Sequence, residues 1–456
     1  MENEKTISFR VNKNGVPLKD VENCERVFLN DPDLKGKFRY NEREDCIYKF
    51  GALPWDDETE ERRFRDPVDL DYLRSYFSHY QLDCKLVENA LRIAADKNSY
   101  DPLREYFEGL EGKHDGTERA ERLFIDCLGA EDTFYTREVT KLFLKACIAR
   151  TIHPGCKYDY MIILVGDQGI GKSSLLLKIC PDIKYYTDSI PHFKKDKLFV
   201  EAIEGKLICE TAELVGLNKC EIEDMKATIS SQVDRTRSAY AHKTLDFPRR
   251  CVFVGTTNLD EYLRDATGNR RFLPIKCDIS RKARDIWADD FSEYKGQIWA
   301  EAYNLYKDME KTGGSLVLPP EAQEVAKIEQ SNAMEKDEWH TLIDQYLCNE
   351  IKRVCANKPD NELVSIDTSI NDIYLNAISG DAKNIDTKVS RRIGEYFRLH
   401  PEYKKQSTVR VKGKQGRGYR LSDTVGNLKL KVQGIPGGFT VLSGKEAAEI
   451  EKVFLN

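Results

Sequence analysis

The chain has 456 residues, 40% of them hydrophobic and 32% charged, with 71 Lys/Arg against 77 Asp/Glu and a formal charge of −6. That length supports two to four domains with a sizeable core, and the composition is ordinary for a soluble globular protein. The acidic balance excludes a uniformly basic nucleic-acid coat but leaves room for a local basic patch.

The first ten residues are charged and lack the apolar core of a secretion signal. No apolar run approaches the ~20 residues that span a membrane, so a cytoplasmic protein without membrane association is expected. The 13 cysteines are scattered singly, with no Cys-x-x-Cys pair, and Cys209 and Cys251 fall in apolar runs. Reduced core thiols are therefore expected, not a disulfide framework or a zinc site.

In chain order, residues 1–95 are rich in charge and aromatics, with an acidic run over 56–61. They read as a small mixed domain without a catalytic signature, and the acidic run as a solvated face. Val139, Leu142, Phe143, Ala146 and Cys147 then recur at helical spacing. This helix should stop near His153, because Pro154-Gly155 follows. Residues 160–165 form a continuous apolar run, the pattern of a strand buried on both faces of a parallel sheet. A glycine-rich loop follows, then an apolar helix from Ser174. Further strands are expected at 206–209 and 251–254. Strands separated by helices imply an α/β domain with a mostly parallel sheet, placed at 96–320. Beyond it, 321–346 reads as a polar helix and 350–361, with Pro359, as a charged connection. Residues 364–421 read as helices followed by a basic hairpin, within a C-terminal domain over 321–456.

Residues 166–173 read G-D-Q-G-I-G-K-S, which fits GxxxxGK[ST] in a strand–loop–helix setting. Gly166, Asp167, Gln168, Gly169, Ile170, Gly171, Lys172, Ser173 and Ser174 are the expected nucleotide-binding residues. Glycines let backbone N–H groups turn toward phosphate oxygens, and the helix N-terminus adds positive potential. Lys172 is expected to reach the β- and γ-phosphates of ATP, and the Ser173 hydroxyl to ligate Mg2+. The alternative is a tight glycine turn that binds nothing.

Such a loop needs a carboxylate on a neighbouring strand, to hold the metal or orient the attacking water. Glu210 ends the 206–209 run, and Glu213 lies three positions on. One is expected on the metal, with Glu210 the metal ligand, and the other as base; a surface pair is the alternative. Asn258 closes an apolar strand, where an amide meets the attacking water or the γ-phosphate, or serves as a plain turn residue. Arg270 and Arg271 adjoin a glycine turn. They are candidates for a finger supplied to a neighbouring subunit's γ-phosphate, against surface pairing with Asp260 or Asp265.

Several elements occur in order over roughly 100 to 305: Tyr100-Asp101-Pro102-Leu103, Pro154-Gly155-Cys156-Lys157, the phosphate loop, Glu210-x-x-Glu213-Leu214, Asp234-Arg235-x-Arg237-x-x-Tyr240, Gly255-Thr256-Thr257-Asn258 and Asp265-x-Thr267-Gly268-Asn269-Arg270-Arg271-Phe272. Together they resemble the virulence-associated protein E family, a branch of the ring-forming AAA+ ATPases close to the superfamily-three helicases of phages, plasmids and small viruses. The resemblance implies that Lys172 and Ser173 are nucleotide residues, Glu210 and Glu213 the acidic pair, Asn258 the sensor, and Arg270 and Arg271 the finger region. It also implies a homo-oligomeric ring, a hexamer. Two departures stand out. Lys113-His114-Asp115-Gly116 lacks the family's tryptophan, and Phe272-Leu273-Pro274 replaces an aromatic pair. Both read as packing positions. Longer relatives carry an upstream primase domain, for which the residues before the match are too few, so primase activity is not expected.

In superfamily-three-like helicases a hairpin at 234–243 lines the channel. Arg235, Arg237, His242 and Lys243 would then meet phosphates of single-stranded DNA and Tyr240 would stack on a base; an ordinary polar or interface loop is the alternative. Between Lys383 and Arg420 there are 12 Lys/Arg against 3 Asp/Glu, a local balance of +9. A helix with Arg391 and Arg392, followed by a hairpin with Lys412, Lys414 and Arg417, resembles a winged-helix module suited to double-stranded DNA or to a protein partner. The expected function is an ATP-dependent DNA helicase or translocase, acting as a ring in replication of a phage or mobile genetic element. The alternative is an ATP-controlled DNA-binding initiator or regulatory assembly protein without unwinding.

Overall fold

The computed structural model describes residues 7–212, 219–236, 245–263, 269–334 and 338–432. The chain divides into two compact units, 1–334 and 335–456.

The first unit begins with α1 (Val21–Asn30), an antiparallel sheet of β1 (Phe38–Asn41), β2 (Cys46–Lys49) and β3 (Arg62–Arg63), then α2 (Val68–Phe77) and α3 (Val87–Asp96). Asp20 starts α1 by accepting from the Asn23 N–H. In α3 the apolar positions Val87, Ala90, Leu91, Ala94 and Ala95 repeat at helical spacing and are buried in a local core with Phe28, Leu73 and Phe77. A buried ion pair joins this small module to the start of the next helix: Arg43 Nε lies 2.9 Å from Asp101 Oδ1, with both side chains at most 1% exposed. Arg43 also donates to Thr151 Oγ1 at 3.1 Å, and Arg250 Nη1 reaches Asp101 Oδ2 at 2.6 Å. Asp101 further caps α4 (Pro102–Glu108) by accepting from Leu103 and Arg104 N–H groups.

Helices α5 (Leu123–Leu128) and α6 (Phe134–Ile152) lead to the central sheet. Thr133 caps α6, and the helix ends at His153 as the Pro154-Gly155 signal requires. Then come β4 (Met161–Val165), α7 (Lys172–Ile179), β5 (Tyr186–Thr187), α8 (Lys197–Ile203), β6 (Ile208–Ala212), α9 (Lys219–Ile229), the hairpin of β7 (Val233–Thr236) and β8 (Leu245–Pro248), β9 (Val252–Thr257), β10 (Phe272–Lys276), α10 (Phe291–Lys311) and α11 (Pro320–Asn332). The sheet order is β10-β4-β9-β6-β5, every neighbouring pair parallel. All five residues of β4 are buried. Ile162 and Leu164 face a core shared with α6 and α10, while Met161, Ile163 and Val165 face a second core with Phe199 and Phe253. A strand buried on both faces needs no polar alternation, so the apolar run at 160–165 was readable as a parallel strand.

The acidic strand differs from its expected span. It runs over 208–212, because pairing with β9 continues through Glu210↔Val254, Thr211↔Gly255 and Ala212↔Thr256. Glu210 therefore lies inside the strand, not at its end. Helix α7 also starts earlier, at Lys172.

The second unit contains α12 (Glu338–Cys355), β11 (Leu363–Thr368), α13 (Ile370–Asn376), α14 (Thr387–Leu399), β12 (Lys404–Val411), β13 (Lys414–Thr424) and α15 (Val425–Val432), with antiparallel sheet order β11-β13-β12. Two expectations are corrected here. The start of the charged stretch 350–361 is helix, since Leu347, Ile351 and Cys355 keep α12 buried at helical spacing. Residues 363–368 form a strand, with Val364, Ile366 and Thr368 buried in alternation. The β12–β13 turn has positive φ at both Lys412 (+46°) and Gly413 (+83°), the mirror-image turn that matches strand twist. Among the described residues no helix is long and apolar enough to cross a membrane. All 13 cysteines are free thiols, and Cys209 and Cys251 are buried.

Candidate functional site

The phosphate loop leaves the C-terminal end of β4 and enters α7. Gly166 has φ +155°, and a Cβ there would stand 2.6 Å from the Cys277 carbonyl oxygen. Gly171 has φ +103° and begins α7. A larger residue at Gly166 would clash with rigid backbone, so the loop keeps its tight path only with glycine. Lys172 Nζ donates to the Gly166 and Asp167 carbonyls at 2.5 and 2.9 Å. Burial holds its pKa below the usual lysine value. An open cleft of about 310 Å3 is lined by Gln168, Gly169, Lys172, Ser173, Thr256 and Asn258, among others.

Glu210 is fully buried behind Ser173 and Thr256, two residues that line this cleft. Its Oε1 accepts from Ser173 Oγ and from Thr256 Oγ1, each at 2.7 Å. Its Oε2 accepts from the Tyr186 hydroxyl at 2.5 Å. A buried carboxylate requires such donors, and here three hydroxyls from α7, β9 and β5 supply them. Burial first, then the bond to Glu210, raises the Tyr186 hydroxyl pKa. Strand β9 is tied to the loop by the Gly166 N–H donating to the Thr257 carbonyl at 3.1 Å. Asn258 is exposed just beyond β9. Glu213 lies outside the described residues.

The donor set fits the expected ligands. Ser173 Oγ and Glu210 Oε1 are adjoining oxygens, the ligand chemistry a hard divalent cation takes. Backbone N–H groups, the helix start and Lys172 fit phosphate. Thr256 belongs to a motif visible in the sequence but is not a site residue expected from it. Tyr186 has no local signal, because it meets Glu210 only through the pairing of β5 with β6.

The arginine pair is elsewhere. Arg270 and Arg271 sit in a short turn before β10. Since Phe272 pairs with Met161 and Lys276 with Val165, the arginines stand at the N-terminal end of the strands. The phosphate loop leaves at the other end, about 16 Å away at ~3.3 Å per residue. Arg270 is exposed, and Arg271 Nε donates to Ser230 Oγ at 2.6 Å. Both line a concavity of about 480 Å3 with Lys157, Tyr160 and Lys327.

The β7–β8 hairpin rises from the same edge, its base fixed by the buried Asp234–Arg249 ion pair. Arg235 is exposed and pairs with Asp246 at 2.7 Å. Arg237, Tyr240, His242 and Lys243 lie outside the described residues.

The C-terminal candidates separate into two kinds. Arg392 packs over the Trp339 ring at 4.1 Å. Lys412 Nζ is held by Asp372 at 3.2 Å and by the Tyr346 hydroxyl at 3.1 Å. Both thus have structural partners. Arg391 on α14, with Lys414 and Arg417 on β13, is exposed and pairs with no carboxylate among the described residues. Lys388 and Arg398 share the outward face of α14 with Arg391, opposite the buried Ile393, Tyr396 and Phe397.

At the two departures from the family pattern the side chains have structural partners. Asp115 pairs with Arg119 at 2.7 Å, and its N–H donates to Gln297 Oε1 at 2.9 Å. Phe272 and Leu273 are buried in the two cores.

Comparison with known proteins found no match among curated proteins. Among solved structures, the chain is similar to the apo NrS-1 C-terminal region, with 14% identity, a TM-score of 0.48, and coverage of 88% of this chain and 99% of that one. The A form of the same region gives 13% identity and a TM-score of 0.45, over 88% and 99% of the two chains. The virulence-associated protein E-like domain matches residues 107–335, from α4 through the phosphate loop, Glu210, the hairpin and the arginine pair to the end of the first unit. With half of its length covered by that match, the chain belongs to the virulence-associated protein E-like domain family.

Proposed function

We propose that the chain is an ATPase whose hydrolysis, carried out between neighbouring copies in a ring, drives movement along DNA: a helicase or translocase in replication of a phage or mobile genetic element. The observation that carries this reading is the joining of Ser173 to the buried Glu210 at the mouth of the phosphate loop. A carboxylate beside the loop's hydroxyl is the pairing that phosphoryl transfer needs.

In this reading the loop N–H groups and Lys172 hold the triphosphate and meet charge that develops on the γ-phosphate oxygens. Ser173 and Glu210 would hold Mg2+, which supplies charge neutralisation between the phosphates. Tyr186 and Thr256 keep the Glu210 carboxylate oriented. Glu213 and Asn258 orient the attacking water. Arg270 and Arg271 stand too far from their own loop to serve it, which favours their use on the site of an adjacent copy. A hexamer places each arginine turn against a neighbour's cleft. The hairpin carrying Arg235, Arg237, Tyr240, His242 and Lys243 would engage one DNA strand.

The second unit supports a DNA role of its own. Its order of helix, strand, two helices and hairpin is that of a winged helix. Arg391 on the outward face of α14 suits a major groove, and Lys414 and Arg417 on the wing suit phosphates. This unit also favours a second reading, an ATP-controlled initiator that assembles on DNA without unwinding it.

The test is ATP hydrolysis with and without single-stranded DNA, at low and moderate salt. Stimulation that fades with salt is expected, since phosphate contacts release counterions. Hydrolysis indifferent to DNA would reject the motor and favour the initiator.

A further inference from the structure

The segment after β10 forms a wall beside the phosphate loop. The Cys277 N–H donates to the Val165 carbonyl at 2.7 Å, where β4 gives way to the loop. The Ala283 and Arg284 N–H groups donate to the Asp126 carbonyl at 2.9 and 2.8 Å, and Arg281 Nε to the Gly129 carbonyl at 2.9 Å. These bonds hold the segment down. Ile286 is fully buried, and its Cδ1 lies 3.5 Å from where a Gly171 Cβ would stand. The next residue, Trp287, is 64% exposed. It is the one exposed tryptophan of the four, and no aromatic ring lies on it among the described residues. Its ring faces Lys178 Nζ at 3.9 Å.

Lys178 is one helical turn beyond Ser174 on α7, and long helical side chains lean back toward the N-terminus. The Trp287 ring therefore stands beside α7, held at Lys178 in its last turn and next in the chain to Ile286, which packs at the Gly171 start of that helix. Sheet order fixes the direction of a bound nucleotide. Glu210 on β6 and Asn258 beyond β9 lie to one side of β4, while β10 and the segment after it lie to the other. The γ-phosphate end belongs on the Glu210 side. The sugar and base then extend toward the β10 side, where Trp287 is the exposed aromatic side chain.

We propose that Trp287 is the platform on which the base of the bound nucleoside triphosphate stacks. The inference rests on the phosphate-loop reading and deepens it by adding the site for the base. Every nucleobase offers a π-face, so such a platform gives affinity for the nucleoside portion, not for the phosphates.

The test compares binding of ATP with binding of inorganic tripolyphosphate, measured by calorimetry on the full chain and its variants. Trp287→Ala is expected to weaken ATP about tenfold and to leave tripolyphosphate unchanged. Trp287→Phe should retain most of the ATP affinity, which also guards against a folding defect. ATP, and not tripolyphosphate, should quench tryptophan fluorescence in the wild type and fail to do so in Trp287→Ala. A wild-type chain that binds both ligands, with a Trp287→Ala variant affected on both equally or on neither, overturns the platform and leaves the phosphate site standing. A wild-type chain that binds neither overturns both readings. Loss of assembly with unchanged ATP affinity assigns Trp287 to a subunit contact and overturns the platform as well.

Discussion

The two edges of the parallel sheet are built on different principles. At the C-terminal edge a buried carboxylate, Glu210, has both oxygens satisfied by hydroxyls from three other elements of the same chain. At the N-terminal edge Arg270 is exposed and the hairpin base presents Arg235 to solvent. A buried carboxylate is stable only when its partners are in place, and the Glu210 cluster finds all of its donors within one copy. Exposed guanidiniums need no internal partner, so the second edge is free to act on something outside the chain. Under the proposed function the contrast divides the chemistry: one chain binds and positions the nucleotide, and an arginine from a neighbour would add to the charge stabilisation that Lys172 and the loop N–H groups supply.

That division can be broken at several points. The largest effect is expected from Arg270→Ala, a loss of about 10³ in turnover with ATP binding retained, on the order seen for a trans-acting arginine. Turnover within a few-fold of wild type would remove Arg270 from the reaction. Lys172→Ala at the other edge should cost about 10² or more, with weakened nucleotide binding; unchanged kinetics would reject the loop assignment.

Arg43→Ala leaves the buried Asp101 with Arg250 as its one remaining charged partner and should destabilise the first unit by up to about 3 kcal/mol, read by thermal or denaturant melting. The same pair predicts a pH dependence. Burial alone would raise the Asp101 pKa, but Arg43 and Arg250 together hold it below the ordinary carboxylate value. A lowered folded pKa means stability that is present above the unfolded value and lost as pH falls through the folded one. Asp101→Asn should flatten that acid limb, and an unchanged limb would show that other carboxylates dominate it.

Tyr186→Phe removes one charge-assisted bond to Glu210 and should slow turnover about tenfold with nucleotide affinity kept; a KM effect without a kcat effect would contradict a positioning role. The smallest changes are expected in the second unit. Arg391→Ala or Lys414→Ala should each lower the salt dependence of DNA binding by about one ion. Lys412→Ala should weaken the unit's stability more than its DNA affinity, because Lys412 is held by Asp372.

What was legible in the sequence was local. The phosphate loop is one contiguous stretch whose strand and helix are its immediate neighbours, so the placement of Gly166, Lys172 and Ser173 between β4 and α7 was legible. Glu210 was found from its strand, although the strand extends past it because β9 continues to pair. Tyr186, Arg43 and Arg250 were not found, since each acts through a partner set by sheet order or by packing of the first module, more than 20 residues away. In the second unit β11 went unrecognised, because its alternation is short: the buried Val364 and Ile366 flank the exposed Ser365, and the apolar Leu363 is exposed as well. The basic helix and hairpin were recognised, but charge alone did not separate the exposed Arg391 from Arg392, which packs on Trp339.

The measurement that tests the central claim most directly is hydrolysis by mixed assemblies. Arg270→Ala and Lys172→Ala chains, each inactive alone, are combined over a range of ratios, with co-assembly verified by distinguishable tags. If the arginine of one copy completes the cleft of the next, some interfaces pair an intact Lys172 with an intact Arg270, and activity should reappear with a maximum at intermediate ratios. No recovery at any ratio in verified mixed assemblies would contradict the trans-acting arginine and place the γ-phosphate charge in the care of a single chain.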